Sequence, residues 1–90
     1  MQHTSQRSIE LRKKLAKLIK EARIKTGKSC NKVEEEFDIG SGVLNRIENA
    51  KYDCKFITLW KVCEALEINF LDLILSLKNE LGNNFNLIDK

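Results

Sequence analysis

Proline is absent from this sequence, and glycine and histidine are scarce, with four and one residues among 90. Because proline and glycine are the residues that most readily break helices, their scarcity favours helices joined by tight turns. The longest apolar run covers only residues 73–75, which is far too short to cross a bilayer. The first residues are polar and lack the apolar stretch of a secretory signal, so we expect a cytoplasmic protein with no membrane partner.

Metal and disulfide chemistry are also poorly represented. Cys30, Cys54 and Cys63 show no CxxC spacing, and the single histidine is His3. Since a structural zinc site needs about four ligands at suitable spacing, we expect no metal site. An odd number of cysteines in a chain expected in the cytoplasm is typical of free thiols. We place Cys63 in the core and the other two cysteines at the surface.

No group of residues in the sequence indicates catalysis. The run Glu34-Glu35-Glu36 is the densest set of carboxylates, but no histidine, phosphate-binding loop or metal set accompanies it. Its simplest interpretation is a charged helix segment that the helix dipole favours. We therefore expect that the protein is not an enzyme and that it uses no cofactor and no small-molecule ligand.

Length and charge indicate one small domain with a basic beginning. Hydrophobic residues make up 42% of the 90 residues, which is enough for a core. Residues 1–33 carry ten Lys and Arg against two Glu, a balance of +8, whereas residues 34–90 carry six against eleven acidic residues, a balance of −5. A basic segment suits a phosphate backbone or an acidic surface, although a solvated helix face has the same composition.

Apolar spacing predicts an all-α protein, a compact bundle of five helices over residues 8–82, between a flexible segment 1–7 and a tail 83–90. We predict helices at 8–26, 30–37, 41–49, 55–66 and 70–81. Gly27 and Gly82 are placed to end helices, and Ser29 and Asn69 to begin them. The side chains predicted to face the core are Leu11, Leu15, Leu18, Ile19, Ala22, Val33, Phe37, Ile39, Leu44, Ile47, Phe56, Leu59, Trp60, Cys63 and Leu66.

The fifth predicted helix carries more apolar surface than one core can cover. Such a surplus implies a second packing partner, and we expect a homodimer interface at Leu71, Leu75 and the stem of Lys78. In the tail, apolar and polar residues nearly alternate from Phe85 to Ile88. They could cover the core or pair across the dimer.

The segment from about residue 15 to 75 resembles the Cro/cI-like (XRE-type) helix-turn-helix family of phage repressors and related regulators. The strongest part is the run from Leu44 to Lys51, Leu-Asn-Arg-Ile-Glu-Asn-Ala-Lys, followed by Thr58-Leu59 and Ala65-Leu66. The resemblance implies a lambda-repressor-like DNA-binding domain. It implies a homodimeric transcriptional regulator of the repressor or controller type, with the helix at 41–49 in the major groove of double-stranded DNA.

The resemblance also places roles on matching positions. It implies base contacts from Ser41, Gly42, Asn45 and Arg46. It implies phosphate contacts from Ser29, Cys30, Asn49 and Lys51. In the family an arginine of the first helix pairs with a glutamate ending the third, and those positions hold Arg23 and Glu48.

Several positions depart from the family pattern. Glu34 stands where the family has a small alanine, Asp38 and Ala50 stand where it has glycine, and Cys30 replaces a glutamine. One account is compensation, with Gly42 giving room for the larger Glu34. The other is that DNA reading has weakened or been lost, which would leave a protein-interaction module or an antitoxin-like partner.

Overall fold

The computed structural model describes residues 6–88, which form five helices and no strand. Helix α1 spans Gln6–Thr26, α2 Cys30–Glu36, α3 Val43–Glu48, α4 Phe56–Ala65 and α5 Phe70–Leu81. α1 packs against α3 and α5, and α2 packs against α3. The prediction of a compact all-helical chain is therefore confirmed. The predicted flexible segment lies mostly outside the described residues, and its residues 6 and 7 belong to α1.

Local capping marks the starts of α2 and α5 and the end of α1. The Ser29 side chain accepts a hydrogen bond from the Lys32 amide, and Asn69 caps α5 in the same way at Asp72. Gly27 follows α1 at φ +76°, a left-handed conformation that glycine adopts at little cost. Every predicted helix end lies within two residues of the observed one. The starts of α1 and α3 differ most, each by two residues; α3 begins at Val43, so Ser41 and Gly42 precede the helix.

One apolar core joins all five helices. The predicted inward positions Val33, Leu44 and Ile47 are buried, and so are Cys63 and Leu66. From α1, Ile19 is fully buried, whereas the other predicted apolar residues of that helix are only partly covered. The buried residues that make up the core are Ile19, Val33, Ile39, Leu44, Ile47, Val62, Cys63, Ala65, Leu66 and Leu73.

Three aromatic residues predicted for the core are instead exposed, and those predictions are wrong. Phe56 is 63% exposed and Trp60 47% exposed, because the buried side of α4 is centred near Val62, roughly 120–160° around the helix from these two rings. Phe37 lies at the end of α2 with the Lys28 ammonium over its ring. Spacing of four residues places two side chains on one helix face, but it does not show whether that face is the buried one.

The two cysteines predicted for the surface, Cys30 and Cys54, are in fact partly buried against the core. Burial raises the pKa of each thiol, and it raises the pKa of Cys63 to about 11. The three side chains therefore stay protonated and poorly nucleophilic near neutral pH.

None of the five described helices is both long enough and apolar enough to cross a membrane.

Candidate nucleic-acid interface

A partly buried ion pair holds the C-terminal end of α3 against α1. Arg23 Nε and Nη2 donate to the two Glu48 carboxylate oxygens at 2.6 and 3.0 Å, and Arg23 Nη1 donates to the Lys28 carbonyl at 2.8 Å. The hydrogen bond to Glu48 raises the pKa of Arg23, so the guanidinium is charged. These are the two positions that the resemblance pairs. Two parallel bonds fix the orientation of α3 as well as its distance from α1.

The outer side of α3 is polar and exposed. Asn45 and Arg46 both face solvent, while Leu44 and Ile47 face the core. The Arg46 guanidinium lies over the Tyr52 ring, 5.4 Å from its centroid. A Cβ atom at position 42 would lie 3.2 Å from Arg46 Nη1. Because Gly42 has no side chain, the guanidinium can occupy this position without a close contact.

Asn45 is oriented by its neighbour one turn later. Asn49 Nδ2 donates to the Asn45 carbonyl at 2.8 Å and to its Oδ1 at 3.2 Å. An amide oxygen has two lone pairs, so Asn45 can still accept a second hydrogen bond and donate from its own Nδ2. That combination is the one needed to bind the edge of adenine.

The four residues assigned to phosphate form two groups. Ser29 and Cys30 lie at the start of α2, where Ser29 already accepts the Lys32 amide and Cys30 is partly buried. Asn49 and Lys51 follow α3, with the Lys51 side chain exposed. Asn49 and Lys51 are the better placed to donate to a phosphate, since both residues are exposed and together they carry an ammonium and an amide.

A basic face of α1 lies beside the second group. Lys13, Lys17 and Lys20 line a shallow cleft of about 470 Å³ together with Asn49 and Ala50. Lys17 also approaches Glu80 of α5 at 3.7 Å, an exposed contact. Part of the positive charge in the N-terminal third therefore borders the loop that follows α3.

Glu34 is the site residue that sequence reasoning missed. Its side chain is buried, with 4% of the residue exposed, and its carboxylate accepts from the backbone N–H groups of Gly42 and Leu44 at 3.0 and 2.9 Å. The idea that Gly42 makes room for Glu34 is wrong, because the near neighbour of a Gly42 side chain would be Arg46. A carboxylate eight residues before a turn rich in glycine is the only signal in the sequence.

Asp38 and Ala50, which stand at positions where the resemblance would place glycine, have left-handed backbone conformations. Their φ angles are 57° and 58°, values that cost a residue with a side chain roughly 1 kcal/mol or more. The turns on both sides of α3 thus have the geometry that glycine would favour.

The predicted dimer residues lie on α5, which packs against α1. Leu71 is 77% exposed and Leu75 60% exposed, and Lys78 is exposed on the same side of α5. Next to them, the Phe70 ring contacts Phe56 edge-on at 5.7 Å and stacks on Trp60 at 5.2 Å between centroids. We call the exposed residues Phe56, Ile57, Trp60, Leu71 and Leu75 the apolar face.

Within residues 6–88, no three His, Cys, Asp or Glu side chains lie close enough together to hold a metal ion. His3 is outside the described residues. Comparison of the chain with protein-family models, with curated protein sequences and with solved structures found no match.

Proposed function

We propose that this chain is a helix-turn-helix protein that binds specific sequences in double-stranded DNA. It acts in the cytoplasm as a small homodimeric transcriptional regulator of the repressor or controller type. The observation that carries the proposal is α3: a short helix attached by side-chain hydrogen bonds at both ends, with Asn45 and Arg46 exposed. A firmly held helix with a polar outer side suits the major groove.

Base reading falls to Arg46 and Asn45. A guanidinium can donate two parallel hydrogen bonds to guanine, and an asparagine can pair with adenine. Tyr52 supports this role, because a guanidinium resting on an aromatic ring has fewer conformations to lose on binding. Ser41 and Gly42 approach the same bases but offer few groups to read them with.

Affinity comes mainly from phosphate contacts. Lys51 and Asn49 lie on the open side of α3, and the α1 lysines Lys13, Lys17 and Lys20 border the same loop. Each phosphate neutralised releases counterions, so binding weakens as salt rises. Ser29 and Cys30 provide the smaller share, from backbone N–H groups at the other end of the motif.

Dimerisation through the apolar face would double the contact. Two copies of α3 about 34 Å apart read two half-sites on one side of the duplex, which makes the operator an inverted repeat. Leu71 and Leu75 supply apolar surface that the fold of one chain leaves open.

The test is selection from a random DNA pool, followed by titration at two salt concentrations. We expect an enriched inverted repeat and a steep loss of affinity with salt. Arg46→Ala should lower the preference for the selected sequence by about ten-fold or more. Lys51→Ala should weaken selected and random duplexes equally and reduce the salt slope by about 0.9. Absence of salt-sensitive binding to any duplex would overturn the proposal.

A second candidate is a helix-turn-helix fold that serves as a protein-interaction module or an antitoxin-like partner. The contacting rings of Phe56, Trp60 and Phe70 favour it, since Phe56 and Trp60 are exposed and aromatic residues are enriched where proteins bind one another. This candidate predicts a protein that co-purifies with the chain and no enrichment in the DNA selection. Trp60→Ala should then release the partner while leaving DNA titrations unchanged.

A further inference from the structure

We propose that Glu34 is a positioning residue that sets the placement of α3 and thereby the sequence discrimination of the protein. This inference rests on the proposed DNA-binding function. From the sequence alone, the size and charge of Glu34 suggested that DNA reading had weakened or been lost. The inference instead gives Glu34 a role that supports DNA reading.

The carboxylate supplies a cap that α3 lacks. The first N–H groups of any helix have no partner inside it, and Gly42, the residue before the first turn, has no side chain to offer. The Val43 amide donates to the Gly40 carbonyl at 3.1 Å. The two Glu34 oxygens take the amides on either side, Gly42 and Leu44, so that one side chain of α2 caps the neighbouring helix.

Such a cap matters more here than in a long helix. α3 has six residues, well below the length at which a helix is stable alone, so contacts outside it determine where it lies. Glu34 fixes its N-terminal end to α2, and the Arg23–Glu48 pair fixes its C-terminal end to α1. Losing one tie would leave α3 able to pivot about the other. Groups that recognise a ligand need placement to about half an ångström, so a pivot degrades recognition before it degrades folding.

The negative charge of Glu34 is compatible with DNA nearby. The carboxylate is buried at the N-terminal end of α3, where the helix dipole is positive, and charged acceptors of backbone N–H groups are favoured there. Glu35, the next residue, carries the same charge on an exposed side chain. The pair therefore provides a matched control, with one carboxylate tied to α3 and the other in solvent.

The experiment compares Glu34→Gln and Glu34→Ala with Glu35→Gln and Glu35→Ala in the full chain. Glutamine keeps the shape of Glu34, but its amide nitrogen cannot accept a hydrogen bond, so one of the two amides loses its partner. Amide resonances of Gly42 and Leu44 report the tie directly, by chemical shift and by hydrogen exchange. DNA is titrated with the selected duplex and with a random duplex, below the unfolding transition of every variant.

We expect Glu34→Gln to shift the Gly42 and Leu44 amides and to lower the ratio of selected to random affinity roughly ten-fold, the loss of one good base contact. Its affinity for random DNA and its salt slope should match the wild type. Glu34→Ala should lower the ratio of selected to random affinity further, and its DNA binding is interpreted only if the variant folds. The Glu35 variants should move neither amide and should leave the ratio unchanged.

The outcomes separate this inference from the proposed function. If Glu34→Gln moves both amides and discriminates as well as the wild type, Glu34 is a structural cap only and the inference is wrong. An equal loss of selected and random binding would also overturn it. If the wild type itself shows no preference for any sequence, the DNA-binding proposal fails and the inference fails with it.

Discussion

Two regions of this molecule, the surroundings of α3 and the apolar face of α4 and α5, differ in the kind of side chain that is removed from solvent. Around α3, charged side chains are largely removed from solvent and have partners: the partly buried Arg23 pairs with Glu48, and the buried Glu34 accepts from two backbone amides. Across α4 and α5, apolar side chains lie in the open, with Phe56, Ile57 and Leu71 each more than 60% exposed. Polar groups are inside on one side, and apolar groups are outside on the other.

This difference indicates which side chains stabilise the fold of one chain and which are available to stabilise association. Within residues 6–88 every buried side-chain nitrogen and oxygen atom has a hydrogen-bond partner, so the polar ties around α3 cost little to bury but much to break. The apolar face contributes little to the fold of a single chain, since it stays in water. A surface of that kind is stabilised when a second surface covers it. Substitutions should therefore damage folding on the first side and association on the second.

The largest effect should come from breaking the partly buried ion pair. Arg23→Ala or Glu48→Ala should lower the free energy of unfolding by about 3–5 kcal/mol, because each leaves the other charge buried without its partner. Urea denaturation followed by circular dichroism measures the change. Replacing both residues together, by Met and Leu, should cost less than either single truncation.

The matched control is the exposed pair of Lys28 and Glu36. The hydrogen bond from Lys28 lowers the pKa of Glu36, yet 35% and 40% of the two side chains are exposed to solvent, so Lys28→Ala should cost much less stability than Arg23→Ala. A loss at Arg23 no greater than the loss at Lys28 would contradict the importance given to burial.

A second substitution should break association without harming the fold. Leu75→Glu places a charge at a position where the side chain is 60% exposed. The helical content and the unfolding midpoint of the monomeric variant should therefore stay close to those of the wild-type monomer. Each copy loses one buried leucine from the interface, which should weaken dimerisation roughly a hundred-fold. Sedimentation equilibrium over a range of concentrations gives the dissociation constant.

Ile24→Glu is the control for that experiment. Ile24 is similarly exposed but lies on α1, outside the apolar face, so its dimer should survive. A wild-type chain that stays monomeric at high concentration would remove the dimer from the proposal.

The sequence predicted the helices well because their signals are local. Apolar residues recur at helical spacing, and Ser29, Asn69, Gly27 and Gly82 mark ends through bonds or angles within a few residues. The whole of α5 follows from such signals. At α3 the prediction was less accurate, since its first amides are capped by Glu34 from another helix, and no local pattern shows that bond.

The sequence was least informative about which apolar face is covered. Phe56 and Trp60 are four residues apart and share one face of α4, and Val62 and Leu66 have the same spacing on another face, yet only the second pair is buried. Helical period fixes which residues share a face, whereas tertiary packing decides where that face points. The same gap affects the candidate site: the sequence suggested Arg46 as a contact, but not that Tyr52 would lie beneath it.

The smallest predicted effect separates strain from interaction at the end of α3. Ala50 has a φ of 58°, and its amide donates to the Ile47 carbonyl at 3.0 Å, so the backbone is held in a left-handed conformation that alanine disfavours. Ala50→Gly should therefore raise the free energy of unfolding by about 1 kcal/mol, measured by urea denaturation. Ala16→Gly, inside α1, should lower it by more than about 1 kcal/mol, because glycine costs a helix interior about that much and the buried Ala16 methyl group is lost as well. Opposite signs for the same substitution would show that the turn after α3 is strained at Ala50 while the ion pair beside it keeps the turn in place. A loss of stability at both positions would mean that the Ala50 side chain makes contacts worth more than the strain.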